Sequence, residues 1–395
     1  MRRFPWAVRL LLVNQFGVNV GFYLLIPYLA TYLTADLGLT VATVGVVLGA
    51  RTLSQQGLFL LGGTAADRLG ARGVIIAGCG LRTVGFALFA VGESVAVLLL
   101  AAVLSGVAGA LFNPAVRAWI AVEVGPDERA PAFALFNVFA QAGALTGPVL
   151  GSALLLIDFR VSALVAAGIF AVLTVAQAVV LPAREVPPPR KTVWGDVREC
   201  LSDRGFLAFT LVMTAMFALQ NQLYLVLPME AIRLTGTPAA VAGLFVVSTV
   251  VTLLAQVRIT RALQGWPRWR SIALGLTLMG LAFAPPALAR LWPPPEAVLP
   301  GAVPVVASAV LLAVGVAVTQ PFVLELVSSF GHERLTGTRF GVFYLGSGVV
   351  AAISTVVVGW AGPAGSLVCV ALGLAGALGV LLLRSRGVLD RELVS

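Results

Sequence analysis

Apolar residues run along this chain in twelve stretches of membrane-spanning length, separated by short polar breaks. Six lie near 8–33, 41–64, 73–92, 95–120, 131–157 and 161–182, and six more near 205–230, 238–260, 271–290, 302–324, 338–361 and 363–383. A helix needs about 20 apolar residues to cross the hydrocarbon of a bilayer, so each run is read as one span. The pattern is interrupted once, at 183–204, where AREVPPPRKTVWGDVRECLSDR is rich in proline and charge and too polar to span. The expected domains are therefore an N-terminal six-helix bundle over 1–182, a cytoplasmic linker over 183–204, and a C-terminal bundle over 205–395 that ends in a short cytoplasmic tail. The expected fold class is an all-α integral membrane protein of twelve transmembrane helices in two pseudo-symmetric bundles.

The two halves repeat one another. Asn19, Tyr23 and Pro27 in the first span match Gln220, Tyr224 and Pro228 in the seventh, each pair 201 positions apart. Asn113-Pro114 in the fourth span matches Gln320-Pro321 in the tenth at an offset of 207, and PDERA at 126–130 matches GHERL at 331–335 at 205. Parallel six-span repeats are how one large class of transporters is built. Residues at i, i+4 and i+8 share a helical face, so Gln15, Asn19 and Tyr23 form a polar stripe. A buried amide in hydrocarbon is costly unless it is hydrogen-bonded or faces water. The stripe is therefore expected to line a substrate cavity between the bundles, opposed by Gln220 and Tyr224.

Composition agrees with a membrane protein. Hydrophobic residues make up 59% of the 395 residues and charged residues 11%, against about 25% charged in soluble domains, which excludes a soluble globule. The net charge of +9 is dispersed over loops and forms no nucleic-acid-binding stripe, so membrane lipid headgroups are the expected partners of the basic residues. If both termini are cytoplasmic, 20 of the 26 Lys and Arg residues lie in the predicted inner segments or at the inner ends of spans, and Arg160, Arg233 and Arg290 lie in the outer loops or at an outer span end. That asymmetry follows the positive-inside rule and places the chain as a multi-pass protein of the plasma (inner) membrane. The first run is too long, and too polar at Asn14, Gln15 and Asn19, for a cleaved signal peptide. Six of the seven Trp residues fall at predicted span ends, as an interfacial aromatic belt requires. Cys79, Cys200 and Cys369 have no structural spacing and are read as free thiols.

A compact charged turn, GGTAADRLGAR at 62–72, separates the second and third runs and forces their helices antiparallel. Together with the block VGVVLGARTLSQQGLFLLGGTAADRLGARGVIIAGCGLRTVGF at 44–86 and the later VLSGVAGALFNPA, it resembles the major facilitator superfamily, in particular its twelve-span drug:proton antiporters. The superfamily's most specific motif is matched at Gly63, Asp67, Arg68, Gly70 and Arg72. The resemblance implies a gate: Asp67 caps the start of the eleventh span near Gly337 and Thr338, and the basic residues pair with nearby acids, for Arg72 the candidate Glu123; the alternative is that these charges only set topology. A helix N-terminus carries about half a positive charge, so the first contact is electrostatically sensible. GALTGPVLG in the fifth span resembles the family's exporter motif at Gly143, Gly147, Pro148 and Gly151. Without that resemblance, its glycine strip is a surface for close helix packing.

Charge inside the spans completes the reading. Arg51 and Arg82 fall mid-span, where an arginine costs at least about 2.5 kcal/mol, and the fold implied by the resemblance puts Arg51, with Ser54 and Gln55, on the cavity. No Asp or Glu lies at the centre of any span. The exporters it resembles have acids at the positions of Asn14, Asn113 and Gln320, all amides here, so Asn113 and Gln320 are cavity residues and the proton-coupling candidates become Glu325 and Glu230. Glu230 also sits three residues from Arg233, at helical salt-bridge spacing. His332 is read as a loop-surface residue.

No catalytic constellation, metal-ligand spacing or phosphate loop is present in the sequence, so neither an enzyme nor a cofactor is expected. The expected function is secondary active export of small, partly hydrophobic organic compounds by alternating access, with protons as the exchanged partner and a monomer as the acting unit. The alternatives are a proton-independent facilitator or carrier for a neutral or anionic molecule and, from another class, a membrane-embedded enzyme or sensor.

Overall fold

The computed structural model describes residues 4–155, 157–183, 192–237, 239–292, 298–330 and 333–389. Among them there is no strand, and the α-helices run in order α1 Trp6–Thr31, α2 Val41–Gly57, α3 Phe59–Leu69, α4 Ala71–Val91, α5 Val95–Glu123, α6 Pro126–Leu155, α7 Phe159–Val180 and α8 Val193–Ser202. They continue as α9 Arg204–Asn221, α10 Val226–Thr235, α11 Ala239–Leu263, α12 Arg268–Leu281, α13 Ala284–Leu291, α14 Val298–Ser329, α15 Thr336–Trp360 and α16 Gly365–Ser385. Ten helical stretches of the described residues are long and apolar enough to cross a membrane. The second and eleventh apolar runs correspond to the α2–α3 pair and to α15. His332 and the start of the linker lie outside the described residues.

Helix starts follow local chemistry. Thr40, Ser94, Asp158 and Asp203 each place a side-chain oxygen on a backbone N–H of the first turn of α2, α5, α7 and α9, satisfying donors that have no intrahelical partner. Interruptions also have causes. Pro228 offers no N–H to the carbonyl of Tyr224, four residues earlier, and its ring crowds that carbonyl. The seventh span accordingly breaks into α9, a 3₁₀ turn over Gln222–Tyr224, and α10. The ninth span breaks between α12 and α13 where Pro285 and Pro286 follow Ala284. The second span breaks at Leu58, next to Gly57, a weak helix former.

The chain forms two compact units. The first gathers Met1–Pro126, Phe139–Ser202 and Gly331–Leu345, and the second gathers Asp127–Val138, Asp203–Phe330 and Gly346–Ser395. In the first unit α4 packs on α5 and α7, α2 and α3 pack on α5, and α1 packs on α7, around fully buried Phe86, Phe89, Phe112 and Phe170. In the second unit α14 packs on α11 and α12, and α16 packs on α9 and α12, around Phe206, Phe209, Phe283 and Phe322. The linker is not wholly irregular, because its last part is α8, which belongs to the first unit.

Candidate functional site

The stretch GGTAADRLGAR, expected to be a turn, is mostly helix: residues 62–69 end α3, and the chain turns into α4 at Gly70 alone, whose φ of 87° is accessible to glycine. One helical turn earlier, Asp67 meets the first residues of α15. Its Oδ1 accepts from the Gly337 amide at 2.8 Å, and its Oδ2 accepts from the Thr338 amide and hydroxyl at 2.6 Å each. The carboxylate thus occupies the positive end of a helix and satisfies two donors that have no partner inside it. The approach is tight because both chains are glycine here: a Cβ on Gly63 would fall on the Gly337 carbonyl. Burial pushes the Asp67 carboxyl up to about 6, against the pull of the Thr338 and Gly337 hydrogen bonds and of Arg339.

The two arginines of the loop go to different places. Arg68 donates to Asp196 of α8 at 2.6 Å. Arg72, for which Glu123 is the expected partner, instead donates to the carbonyls of Leu181 at 2.8 Å and Ala178 at 2.6 Å. The reason is the end of α7, whose last carbonyls lack intrahelical donors and carry the negative end of the helix dipole. Glu123 is the last residue of α5.

The exporter-like glycines lie against α1. A Cβ on Gly143 would meet Phe16 and Asn19, one on Gly147 would meet Val20 and Tyr23, and one on Gly151 would meet Leu24 and Tyr28. The strip therefore lets α6 seat directly on the helix that carries Gln15, Asn19 and Tyr23, and the Tyr28 hydroxyl locks it by donating to the Pro148 carbonyl at 2.8 Å. Within α1, Asn19 turns its amide back to the Gln15 carbonyl at 2.9 Å. Asn14, one residue outside the expected stripe, is 1% exposed and neither polar atom of its side chain has a partner.

From α2, Arg51 reaches α1 at Phe22, while the Gln55 side chain lies over Gly109 of α5. Arg51 donates to the Gln55 side chain at 3.2 Å and to Thr52 at 3.3 Å, and its guanidinium lies 5.3 Å from the Phe22 ring centre. Its partners are neutral. Arg82 is buried on α4 with its guanidinium 5.6 Å from the ring centres of Phe112 and Phe170, an arrangement that uses the negative faces of two aromatic rings in place of a carboxylate. On α5, Asn113 offers its backbone carbonyl to Arg117 at 2.9 Å, and Arg117 in turn lies 4.8 Å from the Tyr344 ring centre.

In the second unit the helix break separates residues that their spacing places on one face. Gln220 is on α9, whereas Tyr224 is in the 3₁₀ turn, 64% exposed and 5.6 Å from the Phe245 ring. The narrower winding of that turn shifts the angular positions of the residues after it. Gln320 is half-buried on α14, and its side-chain oxygen has no partner. The two coupling candidates differ sharply. Glu230 has both oxygens engaged, one by Arg233 at 2.6 Å and the other by Arg290. Glu325 has one oxygen held by Arg268 at 3.0 and 3.1 Å, while the other is buried without a partner. Removing one member of a buried ion pair strands the remaining charge. Glu230→Gln should therefore lower stability by about 2 kcal/mol, a discounted figure because both arginines reach solvent, and a thermal unfolding scan in detergent reads the loss.

The family model described as Major Facilitator Superfamily matches residues 11–355. The chain belongs to the major facilitator superfamily. It is a multi-pass membrane transporter, not an enzyme. An uncharacterized MFS-type transporter of Mycobacterium tuberculosis is 43% identical over 91% of this chain and 86% of its own length. Multidrug resistance protein MdtH of Cronobacter sakazakii is 32% identical over 90% and 86%, and the MdtH of Photorhabdus laumondii is 33% identical over 70% and 69%. The crystal structure of the Escherichia coli fucose:proton symporter FucP matches with a TM-score of 0.74 at 15% identity, covering 95% of this chain and 98% of that one, which establishes the superfamily fold.

Sequence reasoning passed over three residues that the structure places at or near the superfamily loop. Asp196 and Arg334 join the Arg68 side of the loop, with Arg334 3.3 Å from Asp196, and Arg117 meets Tyr344 of α15. The one available signal was an acid, Asp196, flanked by apolar residues at helical spacing inside an otherwise polar linker.

Proposed function

We propose that the protein is a secondary active exporter of small, partly hydrophobic organic compounds, driven by proton exchange and working by alternating access of its 1–182 and 205–395 bundles. The observation that carries the reading is the Asp67 carboxylate on the α15 N-terminus: a desolvated contact of few bonds, which a transport cycle can make and break. The glycine strip of α6 against the polar stripe of α1 supports it by giving the substrate-facing helix a rigid backing. The name multidrug resistance protein borne by relatives at 32–33% identity supports the substrate class. Gln15, Asn19, Tyr23, Arg51, Gln55 and Asn113 are proposed to contact substrate from the first half, and Gln220, Tyr224 and Gln320 from the second.

Of the two acids, Glu325 is the proposed proton carrier. The second oxygen of Glu325 is buried without a partner and so open to a proton, whereas both oxygens of Glu230 are already occupied by arginines. The protein is proposed to act as a monomer in the plasma membrane with both termini cytoplasmic. A thermal-shift screen of dyes and drugs on the purified protein identifies a ligand, and uptake of that compound into inverted vesicles tests export. Accumulation above vesicles that lack the protein is the expected result, and equal uptake in both would sink the export reading.

One observation favours a second reading, a facilitator or carrier of a neutral or anionic molecule. Arg51 faces neutral side chains and the Phe22 ring, which leaves its charge available to an anion. Under that reading Arg51→Ala abolishes anion transport selectively, whereas equal loss for cations and anions assigns Arg51 a structural role.

A further inference from the structure

Helix α8 presents Asp196, Val197 and Cys200 inward, all at most 3% exposed, and leaves Trp194 72% exposed on its other side. Asp196 gives one oxygen to each of two arginines: Oδ2 to Arg68 at 2.6 Å and Oδ1 to Arg334 at 3.3 Å. These arginines come from sequence-distant places. Arg68 is the neighbour of Asp67 in the loop, and Arg334 lies in the 3₁₀ turn over Glu333–Leu335 that runs straight into α15, whose second and third residues, Gly337 and Thr338, bind Asp67. A second acid of α8, Glu199, reaches Arg334 at 3.6 Å. The same carboxylate therefore braces both sides of the Asp67 contact. The chain leaves the first unit at Ser202, the last residue of α8, and Asp203 begins the second unit by capping α9.

We infer that Asp196 is a positioning residue for the gate: it clasps the linker helix α8 across Arg68 and Arg334, and α8 must be released for the Asp67 contact to open. This rests on reading that contact as a gate. The arrangement has a mechanical logic, because any displacement of α9 pulls on α8 through the single peptide that joins Ser202 to Asp203. Two charge-assisted bonds to one carboxylate are strong enough to hold a ten-residue helix and few enough to be broken together. They also explain why an otherwise polar linker buries an acid at all, since a buried carboxylate needs paired cations.

Cys200 is a built-in reporter of the clasp. Its thiol is covered by α8 packing, and burial pushes it up to about 11, so in the clasped protein it reacts slowly with a water-soluble maleimide. The test is the rate of Cys200 alkylation in the purified full-length protein, read by mass spectrometry, together with hydrogen exchange at the Gly337 and Thr338 amides. Asp196→Asn should speed Cys200 alkylation at least about tenfold and speed exchange of the two amides. Asp196→Glu, which keeps the charge, should stay near the wild-type rate. Arg334→Gln should also accelerate both readouts, and adding it to Asp196→Asn should add little, because the two residues form one interaction.

Wild-type alkylation in Asp196→Asn overturns the proposal. So does faster alkylation with unchanged amide exchange, which would mean that α8 is held by Asp196 without bracing the gate. If Cys79 and Cys369 also become reactive in Asp196→Asn, the variant has unfolded globally and Arg334→Gln decides, with unchanged rates there counting against the clasp. None of these readouts needs a transported substrate, so failure of the export reading leaves them intact. Failure of the gate reading shows separately, as normal transport in an Asp67 variant.

Discussion

Asp67→Ala should lower transport about a hundredfold while leaving the protein folded. The carboxylate accepts three hydrogen bonds from Gly337 and Thr338, each worth about 1.5–3 kcal/mol for a charged acceptor, and it gains up to about 2 kcal/mol at a helix N-terminus. Against this stands the cost of desolvating the charge, visible in its raised carboxyl pKa. A net loss of about 3 kcal/mol corresponds to roughly two powers of ten in the population of the closed contact. Asp67→Asn keeps an acceptor oxygen and should cost about tenfold. The pH dependence has a definite sign. The carboxyl titrates at about 6 in the contact against an ordinary 3.8, so the contact binds a proton more tightly than an exposed Asp67 does. Its stability is then fullest below pH 3.8, falls as pH rises to about 6, and is flat above. Hydrogen exchange at the Gly337 and Thr338 amides, corrected for intrinsic pH dependence, should follow that course in the wild type and lose it in Asp67→Asn.

Gly147→Val should be nearly as damaging, for a steric reason. A Cβ at position 147 would sit 2.7 Å from the Tyr23 Cβ and 2.9 Å from the Val20 carbonyl oxygen. These atoms belong to or adjoin the α1 backbone, which cannot rotate out of the way. Overpacking of this kind costs about 1–3 kcal/mol, and valine adds two methyl groups beyond that first carbon. The α1–α6 seat should open, the Tyr28 bond to Pro148 should be lost, and both the unfolding temperature and transport should fall. Gly168→Ala is the matched control. Nothing lies within 4 Å of a Cβ there, so alanine should be neutral or stabilise α7 by up to about 1 kcal/mol. Equal thermal stability for Gly147→Val and Gly168→Ala would remove the packing argument.

Much of this architecture is legible in the sequence because membrane spans declare themselves by length and polarity, and the structure then adds the caps at Thr40, Ser94, Asp158 and Asp203 that set where four helices start. The glycine and aspartate pattern of GGTAADRLGAR is equally readable, since Gly70 is required by its φ and Gly63 by the closeness of Gly337. Other features follow from tertiary context. The partner of Arg72 is a pair of carbonyls at the end of α7, and backbone acceptors have no side-chain signature, so charge matching favoured Glu123. The break after Asn221 sets the local effect of Pro228 against an apparently continuous i, i+4 pattern, and α1 with Pro27 shows that the same motif can also stay helical. Asp196 is 128 residues from Arg68 and 138 from Arg334, and nothing in the linker's composition announces those partners.

Proton-driven export is tested most directly by reconstituting the purified protein into liposomes and recording labelled substrate and luminal pH together. An imposed pH gradient should drive substrate against its own gradient, a substrate gradient alone should drive protons the opposite way, and Glu325→Gln should uncouple the two flows. Substrate movement that is unchanged when the pH gradient is collapsed, with no proton flux accompanying it, would contradict the account.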